Sequence, residues 1–400
     1  MPAFWSTLTA APHRVTFLPG AIMAVLALVW WLADLVLRQT GGAGLAPEAL
    51  PGPLLHGWLM LFGLFPFFVF GFLFTALPNW LSGPGISRPA YTATAGLMAL
   101  GAALVFVAPL PALALHLAGW LTGLAALLGT LIRARPQDKR HGWITWGGLV
   151  LGALGNLLML VWLAGGSPDL VAWSQALGLW GCLVPVFLGV CHRMVPWFTS
   201  RVLANYVLIR PFGPLGIMLA ASLAHGALAA LGHSEYTWLA DLPLAAIAFW
   251  FVSRWGIAQS LGVRLLAVLH IGFVWAGAAF LLYGLASLAA FLALPWSAGL
   301  GPLHALGIGF FGAMLVGMAS RVSLGHSGRP LVADGVTWGL FWLVQTAALA
   351  RMLPDLLLLS GDVITGMTLL SGLLWLAAFG TWTWKYAPLY WGPRVDGKPG

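Results

Sequence analysis

Charged side chains are scarce in this 400-residue sequence. It holds 18 lysines and arginines and 10 aspartates and glutamates, so 7% of its residues are charged and 60% are hydrophobic. A soluble domain is typically about one quarter charged, and its surface needs those groups to stay dispersed. The scarcity therefore excludes a cytosolic globular enzyme and predicts a protein that lies in a bilayer.

Other absences exclude further classes of protein. Two cysteines are too few for a disulfide scaffold, the hydrophobic content is too high for intrinsic disorder, and the charged heptads of a coiled coil are missing. The net charge of +8 does not indicate nucleic-acid binding, because the basic residues stand in ones and twos between apolar runs. Cys182 and Cys191 lie about 13 Å apart along one predicted helix, so we expect no disulfide between them.

Long apolar runs are what the sequence has instead. A hydrocarbon core of about 30 Å requires about 20 apolar residues in a helix. Twelve such stretches occur, at 17–38, 54–80, 91–111, 112–133, 143–164, 170–196, 213–232, 237–253, 264–287, 302–321, 335–353 and 363–386. We predict an all-α fold, a polytopic bundle of about twelve transmembrane helices in a single integral membrane domain over residues 1–400.

Two details of this prediction concern the ends of the stretches. The third and fourth stretches are separated by a turn that we place around Pro109 and Pro111. The first stretch is too long for a signal-peptide core and no small-residue cleavage site follows it, so we expect it to be a membrane helix.

The basic residues predict an orientation. With the N-terminus in the cytoplasm, sixteen of the eighteen, Lys398 among them, fall on the cytoplasmic side, and only Arg38 and Arg351 fall outside. The positive-inside rule therefore predicts cytoplasmic N- and C-termini. All connections are short, so function must lie within the helices, and we find no internal repeat of the kind that builds many transporters.

Histidine is the main ionisable residue within these helices, which carry almost no acids at mid-depth. His56 begins the second predicted helix and His304 the tenth, and the orientation places both near the outer face. Two histidines at matching depth on different helices are suited to the two axial positions of one haem iron. The alternative is that each imidazole caps a helix or bonds a neighbouring carbonyl.

Glycines accompany both histidines. Gly63 and Gly71 follow His56, and the tenth helix holds Gly307, Gly309, Gly312 and Gly317. Bare helix surface of this kind admits either a closely packed neighbouring helix or a flat porphyrin.

A second set of histidines lies toward the inner face. His192, His270 and His326 are suited to a copper site or to a second haem. Arg321 and Arg329 flank His326, and their guanidinium groups are suited either to haem propionates or to lipid phosphates. No CxxCH motif occurs, so any haem is expected to be noncovalent, and the sequence also lacks a phosphate loop, a CxxC zinc pair and a serine nucleophile elbow.

Four stretches of the sequence carry a resemblance to a known protein family. They are His56 to Gly63 continuing to Gly71-Phe72-Leu73-Phe74-Thr75-Ala76-Leu77-Pro78-Asn79-Trp80; Arg193-Met194-Val195-Pro196-Trp197-Phe198-Thr199; Leu266 to Phe273 around His270; and His304 to Gly307 continuing to Arg321-Val322-Ser323-Leu324-Gly325-His326-Ser327-Gly328-Arg329. Together they resemble the NnrS family of polytopic bacterial membrane proteins, over most of the chain.

The resemblance implies a twelve-helix protein of the bacterial inner membrane that binds haem b and copper and takes part in denitrification and the relief of nitric oxide stress. It implies nitric oxide, an electron donor and membrane lipid as partners, and it leaves the oligomeric state open. Trp58 and Leu59 stand where the family commonly has a second histidine and a glutamate.

A fainter likeness is to the catalytic subunit of haem–copper oxidases and nitric oxide reductases. In that subunit, histidines at the outer start of the second and tenth helices hold a low-spin haem, and His56 and His304 match both places. The catalytic half does not match, because there is no adjacent histidine pair, Pro302 stands near the place of a second haem ligand, and the middle of the sixth predicted helix has no histidine. We therefore do not expect oxygen reduction.

The sequence thus supports three hypotheses. The first is a haem-binding protein of the NnrS type, with His56 and His304 as axial ligands and an inner site at His192, His270 and His326. The second is a transporter of a small ligand or metallophore without a permanent cofactor. The third is an oxidoreductase similar to nitric oxide reductase.

Overall fold

The computed structural model describes residues 2–135 and 138–397. Within these residues the chain forms helices joined by short connections, and it has no β-strand. The all-α prediction is confirmed for this part of the chain. Lys398, which the orientation places in the cytoplasm, lies outside the described residues.

Each of the twelve predicted stretches falls on a long helix. The helices are α1 (Pro12–Gln39), α2 (Gly52–Trp80), α3 (Arg88–Leu104), α4 (Pro109–Arg133), α5 (Arg140–Leu163), α6 (Asp169–Ser200), α7 (Phe212–Ala230), α8 (Trp238–Arg254), α9 (Arg264–Phe291), α10 (Gly301–His326), α11 (Gly335–Leu356) and α12 (Gly361–Tyr386). Short helices at Pro2–Leu8, Ile257–Ser260 and Pro388–Trp391 and a 3₁₀ turn at Ser234–Tyr236 complete the described chain.

Ten of the described helices are long and apolar enough to cross a membrane. The other two long helices, α3 and α8, have 17 residues each. The protein is therefore a multi-pass helical membrane protein. The count of twelve spans and the cytoplasmic position of both termini stay predictions.

The turn between α3 and α4 differs from the predicted one. α3 ends at Leu104, and α4 begins at Pro109, so the turn lies at residues 105–108. Proline is favoured at the first position of a helix, because its missing N–H has no intrahelical partner there and its fixed φ already suits the helix. Pro109 and Pro111 therefore start α4 instead of forming the turn.

Three helices contain a π-helical stretch. The stretches are Leu59–Leu64 in α2, Leu177–Leu183 in α6 and Ala305–Gly312 in α10. The first lies within one turn of His56, and the third follows His304 directly. π-Helical turns are uncommon, and those that occur are often at functional sites. The segments beside His56 and His304 are therefore candidates for a functional site.

The π-helical stretch of α2 is supported by a buried histidine of α4. The Nε2 atom of His116 lies 2.9 Å from the carbonyl oxygen of Phe62, inside the stretch, and Nδ1 lies 3.0 Å from the carbonyl oxygen of Met98. The indole Nε1 of Trp120 lies 3.1 Å from Nε2 of the same ring. His116 thus joins α2, α3 and α4 as part of the core.

The described residues cluster into two compact units. The first comprises Met1–Val186, Val322–Pro330 and Trp382–Gly400, and the second comprises Phe187–Arg321 and Leu331–Thr381. The single domain predicted over residues 1–400 stays a prediction.

Close helix packing in each unit depends on glycines. In the first unit, a Cβ atom added to Gly101 of α3 would lie 2.6 Å from the carbonyl oxygen of Ala112 in α4. In the second unit, a Cβ atom added to Gly284 of α9 would lie 2.6 Å from Leu242 of α8. Small residues of this kind let membrane helices approach each other closely.

Candidate functional site

His304 stands in the first turn of α10, in the second unit. Its Nδ1–H donates a 2.9 Å hydrogen bond to the carbonyl oxygen of Leu300, one turn earlier. Because the carbonyl can only accept, the proton lies on Nδ1 and the lone pair on Nε2. Nε2 forms no hydrogen bond within the described chain, and the side chain is half-buried. This is the arrangement of a metal-ligating histidine, whose second nitrogen is fixed by a backbone carbonyl.

The glycines of α10 leave helix surface bare either for a closely packed neighbouring helix or for a flat porphyrin. The surroundings of each glycine distinguish the two. A Cβ atom on Gly309 would lie 2.5 Å from Trp275, and one on Gly317 would lie 2.8 Å from Leu269, so both glycines serve close helix packing. Gly307 is different, because no described atom lies within 4 Å of a Cβ atom there. Gly307 is three residues after His304 and therefore on the same face. Open space lies beside this imidazole.

His56 stands in the second turn of α2, in the first unit, and is half-buried. Its ring stacks on the indole of Trp31 in α1, with ring centroids 4.4 Å apart and planes 15° apart. The stacking fixes the plane of the imidazole. The Arg38 guanidinium carbon lies 5.2 Å from the centroid of the same indole.

The α1–α2 connection holds His56 against Trp31. Asp34 of α1 is fully buried and accepts hydrogen bonds from Arg38 Nε at 2.8 Å, the Leu45 N–H at 2.6 Å and the Ala46 N–H at 3.2 Å. These bonds fold the connection back on α1, so that α2 starts beside it. Asp34 is therefore a positioning residue for His56.

Trp58 is buried in α2, two residues after His56. Its indole is 1% exposed and donates a 3.0 Å hydrogen bond to Asn156 Oδ1 of α5. The side chain thus joins α2 to α5 in the core of the first unit, and it offers no lone pair to a metal ion.

The glycines of α2 also differ from each other. A Cβ atom on Gly71 would collide with Thr16 Oγ1 and with the ring of Phe17, so this glycine serves the packing of α2 on α1. A Cβ atom on Gly63 would meet only Leu59, at 3.8 Å. The space nearer His56 is the less crowded one.

His192 is buried in the second unit, in α6. Its Nε2–H donates a 3.0 Å hydrogen bond to the carbonyl oxygen of Pro211. The rings of Phe212 and Phe251 each lie 5.3 Å from the imidazole, centroid to centroid. The ring is enclosed by aromatic side chains, which is typical of a structural histidine.

His270 of α9 is buried in the second unit as well. Thr199 Oγ1 donates to the Val195 carbonyl at 2.9 Å and therefore accepts from His270 Nε2, at 3.0 Å. The remaining Nδ1 lone pair is buried and has no hydrogen-bond partner within residues 2–135 and 138–397. A single buried lone pair of this kind is open to one external donor or metal ion.

Arg321 belongs to the second unit, near the C-terminal end of α10. Its guanidinium carbon lies 4.0 Å above the ring of Phe198, and its side chain forms no hydrogen bond or ion pair within the described residues. It lies 17 residues after His304, which is about 25 Å along the helix. Arg321 therefore lies too far along α10 to bind the propionates of a haem held by His304, and its unmet donors are suited to another anion.

His326 lies in the first unit, at the C-terminal end of α10. Its ring centroid is 4.5 Å from that of His13 in α1, with planes 38° apart. His13 is 2% exposed, and its Nδ1 has no hydrogen-bond partner within the described chain. Two imidazoles therefore form a pair here that the sequence did not suggest.

Arginines surround this pair. Arg14 is buried and donates hydrogen bonds to the carbonyl oxygens of Tyr390 and Gly392, at 3.4 and 3.0 Å. Arg394 donates to the His326 carbonyl at 3.1 Å and pairs with Asp396, and this ion pair raises the pKa of Arg394. Arg329, three residues after His326, is half-buried, and its side chain forms no hydrogen bond or ion pair with the described residues. So much positive charge disfavours a metal cation and favours an anion.

No group of three or more histidine, cysteine, aspartate or glutamate side chains in the described part of the chain is arranged to hold a metal ion. His192 and His270 have separate partners, and His326 is paired with His13. The predicted three-histidine site thus stays a prediction.

The sequence matches the model of a known protein family. The sequence model of the family described as NnrS protein matches residues 7–394, nearly the whole chain. The chain belongs to the NnrS family. No curated protein matches it. The NnrS match includes both units and all the candidate residues named above.

Sequence reasoning missed three features of this NnrS protein. It passed over His13 and Arg14, whose contacts include residues more than 300 positions away. It also missed the π-helical stretches beside His56 and His304, because a π-helical register has no simple periodic signal. The Pro12-His13-Arg14 start of α1 was the available hint, since a basic pair just inside a helix N-terminus opposes the helix dipole and needs a local reason.

Proposed function

We propose that this protein is a haem-binding protein of the bacterial inner membrane that acts in the response to nitric oxide during denitrification. Membership of the NnrS family supports the class of function. The observation that carries the haem proposal is His304, whose Nδ1–H is bonded to the Leu300 carbonyl while Nε2 is left without a partner beside the open space at Gly307.

His56 and His304 are the proposed axial ligands of a noncovalent haem b. They belong to different units, and each is supported by its own surroundings: His304 by its fixed tautomer and His56 by its fixed ring plane. When bound, the haem would supply one-electron redox chemistry, and nitric oxide would bind it only after one of the two histidines is lost as a ligand. The chain's own part is to present two oriented imidazoles. Arg321 and Arg329 are proposed to bind anions at the inner side, either the propionates of a second haem or lipid phosphates.

Copper is not carried into this proposal. The donors that would bind it do not converge in the described residues, and Trp58 replaces one of them with an indole. Copper binding by His192, His270 or His326 stays a prediction that metal analysis tests.

The test is a reduced-minus-oxidised absorbance spectrum of the purified protein from haem-supplied cells, with iron and copper quantified. We expect a low-spin haem spectrum. His56→Gly and His304→Gly should each abolish or convert it, and added imidazole should restore it, because free imidazole replaces a missing ligand and does not repair a packing defect. The matched control is His233→Gly, since His233 is exposed in a connection.

Two results would overturn the proposal. A colourless, iron-free protein would favour the transporter hypothesis, and unchanged spectra in both ligand variants would exclude this histidine pair. Addition of nitric oxide to the reduced protein tests the proposed response to nitric oxide. We expect the absorbance spectrum to shift. Consumption of nitric oxide with an electron donor would favour the reductase hypothesis.

A further inference from the structure

Two arginines are exceptions to the distribution of the basic residues. Sixteen of the eighteen are predicted on the cytoplasmic side, and only Arg38 and Arg351 are predicted on the outer side. Each of the two lies in the same unit as one proposed haem ligand, Arg38 with His56 in the first unit and Arg351 with His304 in the second. An arginine at the outer end of a membrane helix opposes the positive-inside tendency, so it needs a local reason.

Arg38 and His56 share a contact with Trp31. The guanidinium carbon of Arg38 lies 5.2 Å from the centroid of the indole on which the His56 imidazole stacks. A Cβ atom on Gly52 would collide with the carboxylate of Asp34, so α2 begins in contact with this aspartate. His56 follows Gly52 by four residues and lies on the same face of α2, one turn further on. The ion pair between Arg38 and Asp34 is thus within about one helical turn of His56.

Arg351 is connected to His304 by hydrogen bonds. The Leu300 carbonyl accepts the His304 Nδ1–H at 2.9 Å, and the Leu300 N–H donates to Asp355 Oδ2 at 3.1 Å. Arg351 Nη1 donates to the same carboxylate oxygen at 2.8 Å. The charge of Arg351 is also close enough to act on the His304 imidazole. Asp355 therefore positions both the Arg351 guanidinium and the residue that fixes the His304 tautomer.

Each guanidinium keeps donors in reserve after its ion pair has formed. Arg38 uses Nε for Asp34, its Nη2 is enclosed, and its Nη1 is not enclosed and forms no hydrogen bond within the described residues, on a side chain that is 34% exposed. Arg351 uses Nη1 for Asp355, and its Nε and Nη2 have no acceptor in the described chain and are not enclosed. Backbone N–H groups also donate to both carboxylates. Each aspartate thus orients its arginine without using all of its donors.

We propose that Arg38 and Arg351 bind the two propionates of the haem held by His56 and His304. Haem b carries two carboxylates on one edge of its ring, and a guanidinium forms paired, charge-assisted hydrogen bonds with a carboxylate. The two outer arginines equal the propionates in number, and each lies near one axial ligand. The inference rests on the proposed haem function. It assigns the propionates of this haem to the outer arginines and not to Arg321, 17 residues after His304 in α10.

The test compares haem b with its dimethyl ester, in which both propionates are neutral. The full chain is produced in haem-deficient cells, placed in lipid nanodiscs and titrated with each compound, and the growth of the low-spin absorbance gives two dissociation constants. We expect the ester to bind about 100-fold more weakly than haem b, because each lost charge-assisted interaction lowers the affinity about tenfold. Equal affinities for the two compounds would overturn the proposal.

Substitutions test each arginine separately. Arg38→Gln and Arg351→Gln should each weaken haem b binding about tenfold and leave ester binding unchanged, so that the ratio of the two dissociation constants falls. A packing defect weakens binding of both compounds alike and leaves this ratio unchanged. Arg38→Lys and Arg351→Lys keep the charge but lose the fork of donors, so they should give intermediate ratios even where a Gln variant fails to fold. Unchanged ratios in all four variants would refute the assignment.

The reduction midpoint potential is an independent readout. A propionate that has lost its arginine keeps an uncompensated negative charge, which stabilises ferric over ferrous haem. The potential should therefore fall in both Gln variants loaded with haem b and stay unchanged when the same variants carry the ester. A potential that falls equally with both compounds would indicate a change in the axial ligands and contradict the assignment.

Two further arginines serve as controls. Arg201 is exposed and lies 5.3 Å from the centroid of Trp197, a contact like that of Arg38 with Trp31, so Arg201→Gln should change neither the ratio nor the potential. Arg321→Gln should also leave the ratio unchanged. A ratio that falls in Arg321→Gln, and not in the Arg38 and Arg351 variants, would place the propionates near the C-terminal end of α10 and overturn the proposal.

The inference and the proposed haem function fail in different ways. Protein that binds neither compound contradicts the haem function, and the propionate assignment is overturned with it. Protein that binds haem b with a low-spin spectrum, but distinguishes it from the ester equally well in every variant, keeps the haem function and loses the assignment of Arg38 and Arg351.

Discussion

His304 and His192 form the same kind of hydrogen bond but have different surroundings, and the surroundings decide whether the imidazole can bind a ligand. Each donates one ring N–H to a backbone carbonyl, His304 to Leu300 at 2.9 Å and His192 to Pro211 at 3.0 Å. His192 is enclosed by two phenylalanine rings, whereas His304 lies on the same face as the open space at Gly307. A hydrogen-bonded histidine is therefore not yet a ligand. The space beside its ring distinguishes the two.

The largest expected effect comes from closing that space. Gly307→Leu should weaken haem binding roughly tenfold or more by overpacking, with little change in thermal stability, because no described atom lies close to the new side chain. Gly309→Leu should do the reverse and cost about 1–3 kcal/mol of stability, since its Cβ would meet Trp275. Haem content per protein measures the effect on haem binding, and the unfolding midpoint in detergent measures the effect on stability.

The control for this pair is Gly339→Leu in α11, where a Cβ atom also has open space around it. It should change neither haem content nor stability. If Gly307→Leu kept its haem, the space beside His304 would not be the haem site.

A smaller effect is expected when the enclosed histidine is removed. His192→Ala leaves the Pro211 carbonyl without its donor and should cost about 1–3 kcal/mol of stability, while the haem spectrum stays unchanged. Thermal unfolding followed by circular dichroism, with the spectrum recorded in parallel, measures the two. Loss of haem in this variant would make His192 a ligand and remove the contrast with His304.

The smallest effect concerns Trp58, two residues after His56 in α2. Trp58→Phe removes the hydrogen bond to Asn156 and should cost about 1 kcal/mol, with iron and copper content unchanged. Trp143→Phe, at an exposed position, should have no measurable effect. A change in metal content in Trp58→Phe alone would contradict a purely structural role for this indole.

The helices could be predicted from the sequence because the bilayer imposes their length. Every predicted apolar stretch lies on a helix, and the largest errors occur where a local rule was misapplied, as at Pro109, which starts α4. The positive-inside rule ordered the histidines by depth and so singled out His56 and His304, and their role as ligands stays a prediction. Their depth in a bilayer itself stays a prediction.

The surroundings of those histidines could not be predicted. Which nitrogen of His304 carries the proton depends on a hydrogen bond to Leu300, and the plane of His56 depends on Trp31 in another helix. The His13–His326 pair joins residues 313 positions apart. Each feature depends on how helices pack, which hydrophobic periodicity does not encode when nearly every residue is apolar.

The hydrogen bonds of Arg14 imply that α1 reaches its final contacts only after the last described segment of the chain has been made. It stands in the first long helix and is 2% exposed, but two of its hydrogen-bond acceptors are the carbonyls of Tyr390 and Gly392. A ribosome that has delivered α1 to the membrane has not yet made those acceptors. The guanidinium must stay solvated, or be held by lipid phosphate or a chaperone, until α12 has been inserted. α1 is thus made long before it reaches its final contacts, and a truncation after residue 386 should be degraded as an unfinished protein.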